Sequence, residues 1–170
     1  MKKLLYIIAA MLTMSGCVRG GTEIEPVNYV EVGDDVPPID ITDNYDYVFN
    51  SEEAGIKALI VLFSTTCPDC QDALPLIEET WRKMKDDPAF RFIALARGQV
   101  AADVAKYFPD EKRHSPMPWP EYPDRRYYGM FAGNYIPRLY VVRDGKIYWY
   151  TIYLPDRMTS DDLIKKINGN

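Results

Sequence analysis

The chain has 170 residues, 47% of them hydrophobic, 26% charged and 13% aromatic, with a net charge of −5. That is enough length for one domain plus a tail and enough apolar content for a packed core. The acidic balance excludes the basic footprint that nucleic-acid binding needs.

The first elements in chain order are not part of a fold. Lys2 and Lys3 precede a short apolar run, Leu4–Leu12, and small residues then lead to Cys17 in "MSGC". The run is too short to span a membrane as a mature helix and reads as a secretory signal. With its cysteine after Ser15-Gly16, it resembles a bacterial lipoprotein signal. That resemblance implies cleavage before Cys17 and lipid on its sulfur. Residues 1–16 are then a signal peptide, 17–26 a lipidated tether and 27–170 the folded domain. The protein is expected to be exported and held on a membrane, facing the periplasm or the cell surface. The domain keeps two cysteines, Cys67 and Cys70, in a compartment where disulfides persist. A lone C-x-x-C with no second pair is a poor zinc site.

Val27–Thr42 reads as an extended lead-in with room for a short strand. "KALIVLFS" (Lys57–Ser64) is a continuous apolar run suited to a strand buried on both faces. From Pro68 the period becomes helical, with Leu74, Ile77, Trp81 and Met84 on one face and a stop at Pro88. "FRFIALA" (Phe90–Ala96) predicts a second buried strand, and Val100–Phe108 a helix. The proline-rich Pro109–Asp124 predicts no regular element, and Tyr127–Phe131 a short helix. "RLYVVRDGKIYWYTIY" (Arg138–Tyr153) predicts two strands joined at Asp144-Gly145, a dipeptide suited to a tight hairpin. Thr159 with Asp162 three residues on is a capping-box pattern opening a last helix, which carries Leu163, Ile164 and Ile167 and closes at Gly169. The order predicts an α/β fold: a central mixed sheet, three layers, helices on both faces.

Cys67 follows a buried strand at a predicted helix start, with Pro68 as the first helical residue, a position proline favours. The unpaired N–H groups and positive dipole end of that helix stabilise a thiolate at Cys67. Cys70 lies one turn further in and more sheltered. Such a pair suits thiol–disulfide exchange, in which Cys67 attacks a partner's disulfide and Cys70 resolves the mixed disulfide. Asp69 lies between the cysteines and Asp72 follows in the same turn; a carboxylate there suits the helix but works against the thiolate. A relatively reducing couple is expected, nearer about −270 mV than about −120 mV.

Here the sequence resembles the thioredoxin superfamily, and within it the extracytoplasmic, membrane-tethered thiol-disulfide oxidoreductases of the TlpA/ResA type. The resemblance rests on "VGDDVPP", "ALIVLF", "CPDC", Pro75 and "YIPRLYVVRDGKIYW". It implies a thioredoxin-like fold and a cis peptide bond at Ile136-Pro137 that packs against the cysteines and offers backbone groups to substrate. It implies no bound cofactor beyond a redox-active Cys67–Cys70 disulfide. Implied partners are exported proteins with thiols or disulfides, and an electron-donor protein. The departures concern the proton acceptor for Cys70. Thioredoxins carry an aspartate six residues before the first cysteine, where this chain has Val61. ResA-type enzymes carry a glutamate three residues after the second, where it has Ala73. Asp72 or a water is left as a substitute. Arg138, after the proline, is placed to offset Asp69 if the proline loop lies alongside it.

Two other readings of the same residues stay open. A peroxiredoxin-like peroxidase would use Ser64, three residues before Cys67, and Arg138. A non-enzymatic binding module would use the pair as a structural disulfide or as a metal chaperone, and copper delivery would need the only histidine, His114, to reach the pair. "MPWPEYP" (Met117–Pro123), with Trp119 and Tyr122, is either a partner-binding loop or a connection packing its own aromatics.

Overall fold

The computed structural model describes residues 24–42, 48–50, 54–97 and 127–170. The signal-like segment, Cys17, the expected helix Val100–Phe108, the proline-rich stretch with Trp119 and Tyr122, and His114 lie outside the described residues.

Strand β3 (Lys57–Phe63) is the centre of a four-stranded sheet ordered β4-β3-β5-β6. It pairs in parallel with β4 (Phe90–Ala96), which it reaches through α1 (Pro68–Met84). It pairs antiparallel with β5 (Arg138–Arg143), and β6 (Lys146–Ile152) completes the hairpin. Asp144 and Gly145 both have positive φ, 49° and 73°, as a two-residue turn with the strands' own twist requires. A two-stranded ribbon, β1 (Asp40–Thr42) with β2 (Val48–Asn50), gives the lead-in its strand.

The sheet divides the core in two. Leu59, Val61 and Phe63 of β3 point to the face covered by α1 and by α3 (Ser160–Asn168), where they meet Ile77 and Leu163. Ala58, Ile60 and Leu62 point the other way, to Val36, Ile39 and the one-turn helix α2 (Tyr128–Phe131). Both β3 faces are apolar because both are buried, which is why its sequence runs without alternation.

Helix α1 buries Leu74, Ile77 and Met84 as its spacing predicts, along with Ala73 and Thr80. Trp81 is only partly buried and lies against the ammonium of Lys85, 5.8 Å from its ring centre. The helix ends at Met84, ahead of Pro88. The charged run Lys83–Asp87 reads from sequence as a solvated helix end, and Lys83, Lys85 and Asp86 are indeed exposed, but two of its charges also tie elements together. Lys83 bonds Ser160 Oγ and Asp161 at 2.8 Å each, joining α1 to the start of α3. Asp87 pairs with Lys57 at 2.6 Å and caps Ala89 N–H, which turns the chain into β4.

Helix α3 has the reciprocal cap its sequence announces. Thr159 Oγ1 accepts from Asp162 N–H at 3.2 Å, and Asp162 accepts from Thr159 N–H at 3.1 Å. Gly169 closes it at φ 79°. Thr159→Ala removes one half of this cap without touching the core. It is expected to lower stability by about 1 kcal/mol in urea unfolding, with the α1 end of the sheet unchanged.

Candidate active site

The chain leaves β3 at Phe63 and turns through Ser64–Thr66 into α1. Ser64 Oγ contacts Thr66 Oγ1 at 3.0 Å and accepts from Thr66 N–H, and Cys67 N–H donates to the Ser64 carbonyl at 3.2 Å. Cys67 is the N-cap, with extended backbone, and Pro68 is the first helical residue. No side chain caps the helix start, which leaves the Cys67 sulfur at the positive end of the helix. Gln71 secures the turn from inside: its amide donates to the Thr65 carbonyl at 2.7 Å, and its backbone N–H to the Cys67 carbonyl at 3.0 Å. The sequence reading passed over Gln71; its position four residues after the N-cap was the signal.

The two thiols are unequal. Cys67 is partly exposed, whereas Cys70 is 1% exposed, and neither is in a disulfide in this structure. Burial is the main reason the Cys70 thiol is held far above its ordinary range. Its hydrogen bond to the Cys67 sulfur adds to this, the Ser64 backbone partly opposes it, and the charges of Cys67 and Asp69 add a little more. Val61 and Ala73, each 1% exposed, bring no carboxylate to Cys70. Asp72 is exposed and lines the outer groove, so it is not the buried substitute considered from sequence.

The Ile136-Pro137 peptide bond is cis. The Cys67 thiol donates to the Ile136 carbonyl at 3.7 Å, so the residues at 67 and 136–137 meet although 69 positions apart. Pro137 also faces a groove of about 440 Å³ beside the cysteines, lined by Asp69, Asp72, Ala73, Tyr153, Leu154 and Asp156. Tyr153 N–H donates to the Pro137 carbonyl at 3.1 Å, which fixes the end of β6 against the loop. Burial, then the neighbouring Tyr135, Asp69 and Cys67, raises the Tyr153 phenol above its usual value. Tyr153, Leu154 and Asp156 were not picked out from sequence, because only the course of the chain after β6 brings them here.

Arg138 does not stand beside Asp69. It is fully buried on the opposite face of the sheet, in register with Leu62, and its guanidinium donates to Asn134, Tyr135, Val27, Asn28 and Tyr140. The reason is strand alternation: Leu139 and Val141 face α1, so Arg138 and Tyr140 face away. The same geometry deprives a peroxidase of its arginine at Cys67.

The raised Cys70 thiol has a consequence for stability. An unconstrained thiol ionises near 9.0, while the folded, reduced protein keeps Cys70 protonated well above that. The contribution is therefore full below that pH and is lost as pH rises. Urea unfolding of the reduced protein is expected to show stability falling above about pH 9, by up to about 1.4 kcal/mol per pH unit more than in Cys70→Ser. Equal slopes in the two proteins would contradict it.

No protein-family model matches the chain, and no curated protein matches it in sequence. Solved structures do match it in fold. A Bacteroides thetaiotaomicron protein described as a candidate protein disulfide isomerase superposes with a TM-score of 0.70 at 20% identity, over 86% of this chain and 91% of its own. A thiol:disulfide interchange protein of the thioredoxin family from Chlorobium tepidum gives 0.62 at 15% identity, over 86% and 97%. A secreted Mycobacterium tuberculosis disulfide oxidoreductase homologous to Escherichia coli DsbE gives 0.56 at 14% identity, over 78% and 96%. Their likeness to this chain is one of architecture, and on it the chain is an α/β protein of thioredoxin-like fold.

Proposed function

We propose that the protein is a thiol-disulfide oxidoreductase that exchanges disulfides with exported proteins through Cys67 and Cys70, working as a reductase. The observation that carries this reading is the asymmetry of the pair: an accessible Cys67 at a helix start beside the Ile136 carbonyl, and a buried, protonated Cys70 behind it.

In the reductive direction, the Cys67 thiolate attacks one sulfur of a substrate disulfide. The substrate S–S bond breaks, a Cys67–substrate disulfide forms, and one substrate sulfur leaves as a thiolate. With no carboxylate at positions 61 and 73, that thiolate takes the Cys70 proton. Cys70 then attacks Cys67, the mixed disulfide breaks, and the second substrate sulfur leaves as a thiolate that solvent protonates. Two electrons have passed to the substrate and a Cys67–Cys70 disulfide remains, which a dithiol donor protein must reduce. The two sulfurs are the whole redox equipment of this cycle.

The direction follows from charge. Asp69, Asp72 and Asp156 all line the groove at the pair. The charge of Asp69 acts with burial to disfavour the Cys70 thiolate, which makes the disulfide harder to reduce and the reduced protein the stronger donor. Cys17 at the end of a signal-like segment favours a lipid anchor and an extracytoplasmic site. The secreted and interchange proteins that share the fold act in the same class of chemistry by their descriptions.

Three measurements bear on this. Cys70→Ser expressed in the native host is expected to accumulate mixed disulfides on Cys67 that thiol reductants release; normal expression with no trapped protein would sink the proposal. The wild-type potential is expected nearer about −270 mV than about −120 mV, and Asp69→Lys is expected to raise it by about 30 mV or more. Cys17→Ser is expected to move the protein from the membrane to the soluble exported fraction.

A further inference from the structure

Arg138 is a fully buried cation whose hydrogen-bond partners among the described residues are oxygens of two other chain segments and the Tyr140 hydroxyl, rather than a carboxylate. One segment is the loop before the cis-proline. Arg138 Nε donates to the carbonyls of Asn134 at 3.1 Å and Tyr135 at 3.2 Å, and a terminal nitrogen donates to Asn134 again at 2.7 Å. The other is the N-terminal segment, through the Val27 carbonyl at 3.2 Å and the Asn28 side chain. Asn28 in turn donates to Tyr150 at 3.0 Å and to Glu31 at 3.2 Å, which carries an acidic group toward the network.

The two segments are also bound to each other. Asn134 Oδ1 accepts from Val27 N–H at 2.7 Å, its amide donates to the Glu25 carbonyl at 2.9 Å, and the Tyr135 hydroxyl donates to the Ile24 carbonyl at 2.5 Å. Gly133 N–H donates to the Val27 carbonyl at 3.0 Å, and a Cβ at Gly133 would lie 2.9 Å from the Tyr29 hydroxyl. Ile24 and Glu25, read from sequence as tether, are thus already docked on the domain.

The geometry points to Arg138 as a positioning residue for the loop that faces Cys67. The Tyr135 carbonyl is held from two directions, by Arg138 and by the Tyr128 hydroxyl at 3.3 Å. Carbonyl and N–H of a trans peptide point in opposite directions across one plane. Fixing the Tyr135 carbonyl on the inner face therefore fixes the Ile136 N–H outward. The Ile136 carbonyl faces Cys67. An extended substrate segment whose disulfide reaches Cys67 then meets a donor and an acceptor already set for strand-like pairing. Tyr135 sits at φ 58°, an uncommon conformation for a residue with a side chain, and it needs such outside support. An arginine suits the task because its planar fork spans two segments at once, which a lysine ammonium cannot do. This inference rests on the exchange function proposed above.

The test compares the wild-type chain with Arg138→Lys and Asn28→Ala on two substrates: an extended peptide dimer linked by a disulfide, and the small aromatic disulfide dithiobis(nitrobenzoate). The peptide uses the loop; the small disulfide needs only Cys67. Arg138→Lys is expected to raise KM for the peptide about tenfold, and Asn28→Ala about threefold, with kcat and the small-disulfide rate within about twofold of wild type. Equal loss on both substrates, or an unchanged peptide KM in either folded variant, would overturn the inference. Amide hydrogen exchange provides a readout that needs no activity. Residues 133–136 should exchange about tenfold faster in the variants than in wild type while β3 is unaltered; unaltered exchange in the loop also overturns it. A wild type that reduces neither substrate defeats the exchange function instead, and loop exchange alone then decides whether Arg138 orders the loop.

Discussion

Six consecutive residues of β3, Ala58–Phe63, are exposed by 1% or less. The backbone of Ala58–Leu62 is paired on both sides, in parallel to β4 and antiparallel to β5, and the side chains of all six enter both halves of the core. A strand so placed cannot slip by one residue without exchanging every side chain between the two halves. The reactive cysteines inherit that fixity, because Cys67 comes four residues after its last residue. β5, its antiparallel neighbour, starts at Arg138, directly after the cis-proline, so the same pairing brings the Ile136 carbonyl to the sulfur. The site is thus a property of the sheet end rather than of either loop.

The local elements were legible in the residues. The unbroken apolar run of β3, the cap at Thr159 and Asp162, the Asp144-Gly145 turn and the start of α1 at Pro68 are all decided within a few positions, and each appears as its pattern indicates. The cis bond at Ile136-Pro137 followed from the family resemblance, since the residues alone permit either isomer. Arg138 was misplaced for an instructive reason. Its neighbour in sequence is the proline at the sulfur, but its direction is set by the alternation of β5, and Leu139 and Val141 already indicated the α1 face. Reading the period across the motif boundary would have sent it to the other side.

What the sequence did not disclose depends on contacts between distant segments. Val27 and Asn134 are 107 positions apart, and no local pattern reports their bond. Asp156 and Tyr153 reach the groove only through the course of the chain after β6. Lys83 shows the same principle on a small scale: a cation in a charged run reads as solvated until the N-terminus of α3 is brought against it.

The lead-in has one more effect, at the edge of the sheet. Gly33 N–H donates to the Ile147 carbonyl, Ile147 N–H to the Asp34 carbonyl, and Val36 N–H to the Gly145 carbonyl. These are groups that the turn and the first half of β6 would otherwise offer to another strand. Further along, the cations of Arg143 and Lys166 lie over the rings of Tyr148 and Trp149. Unpaired strand edges recruit other chains, and covering or charging them is how natural sheets avoid self-association. The segment that leads into the domain therefore also closes this edge of the sheet, occupying backbone groups through which a further strand could add.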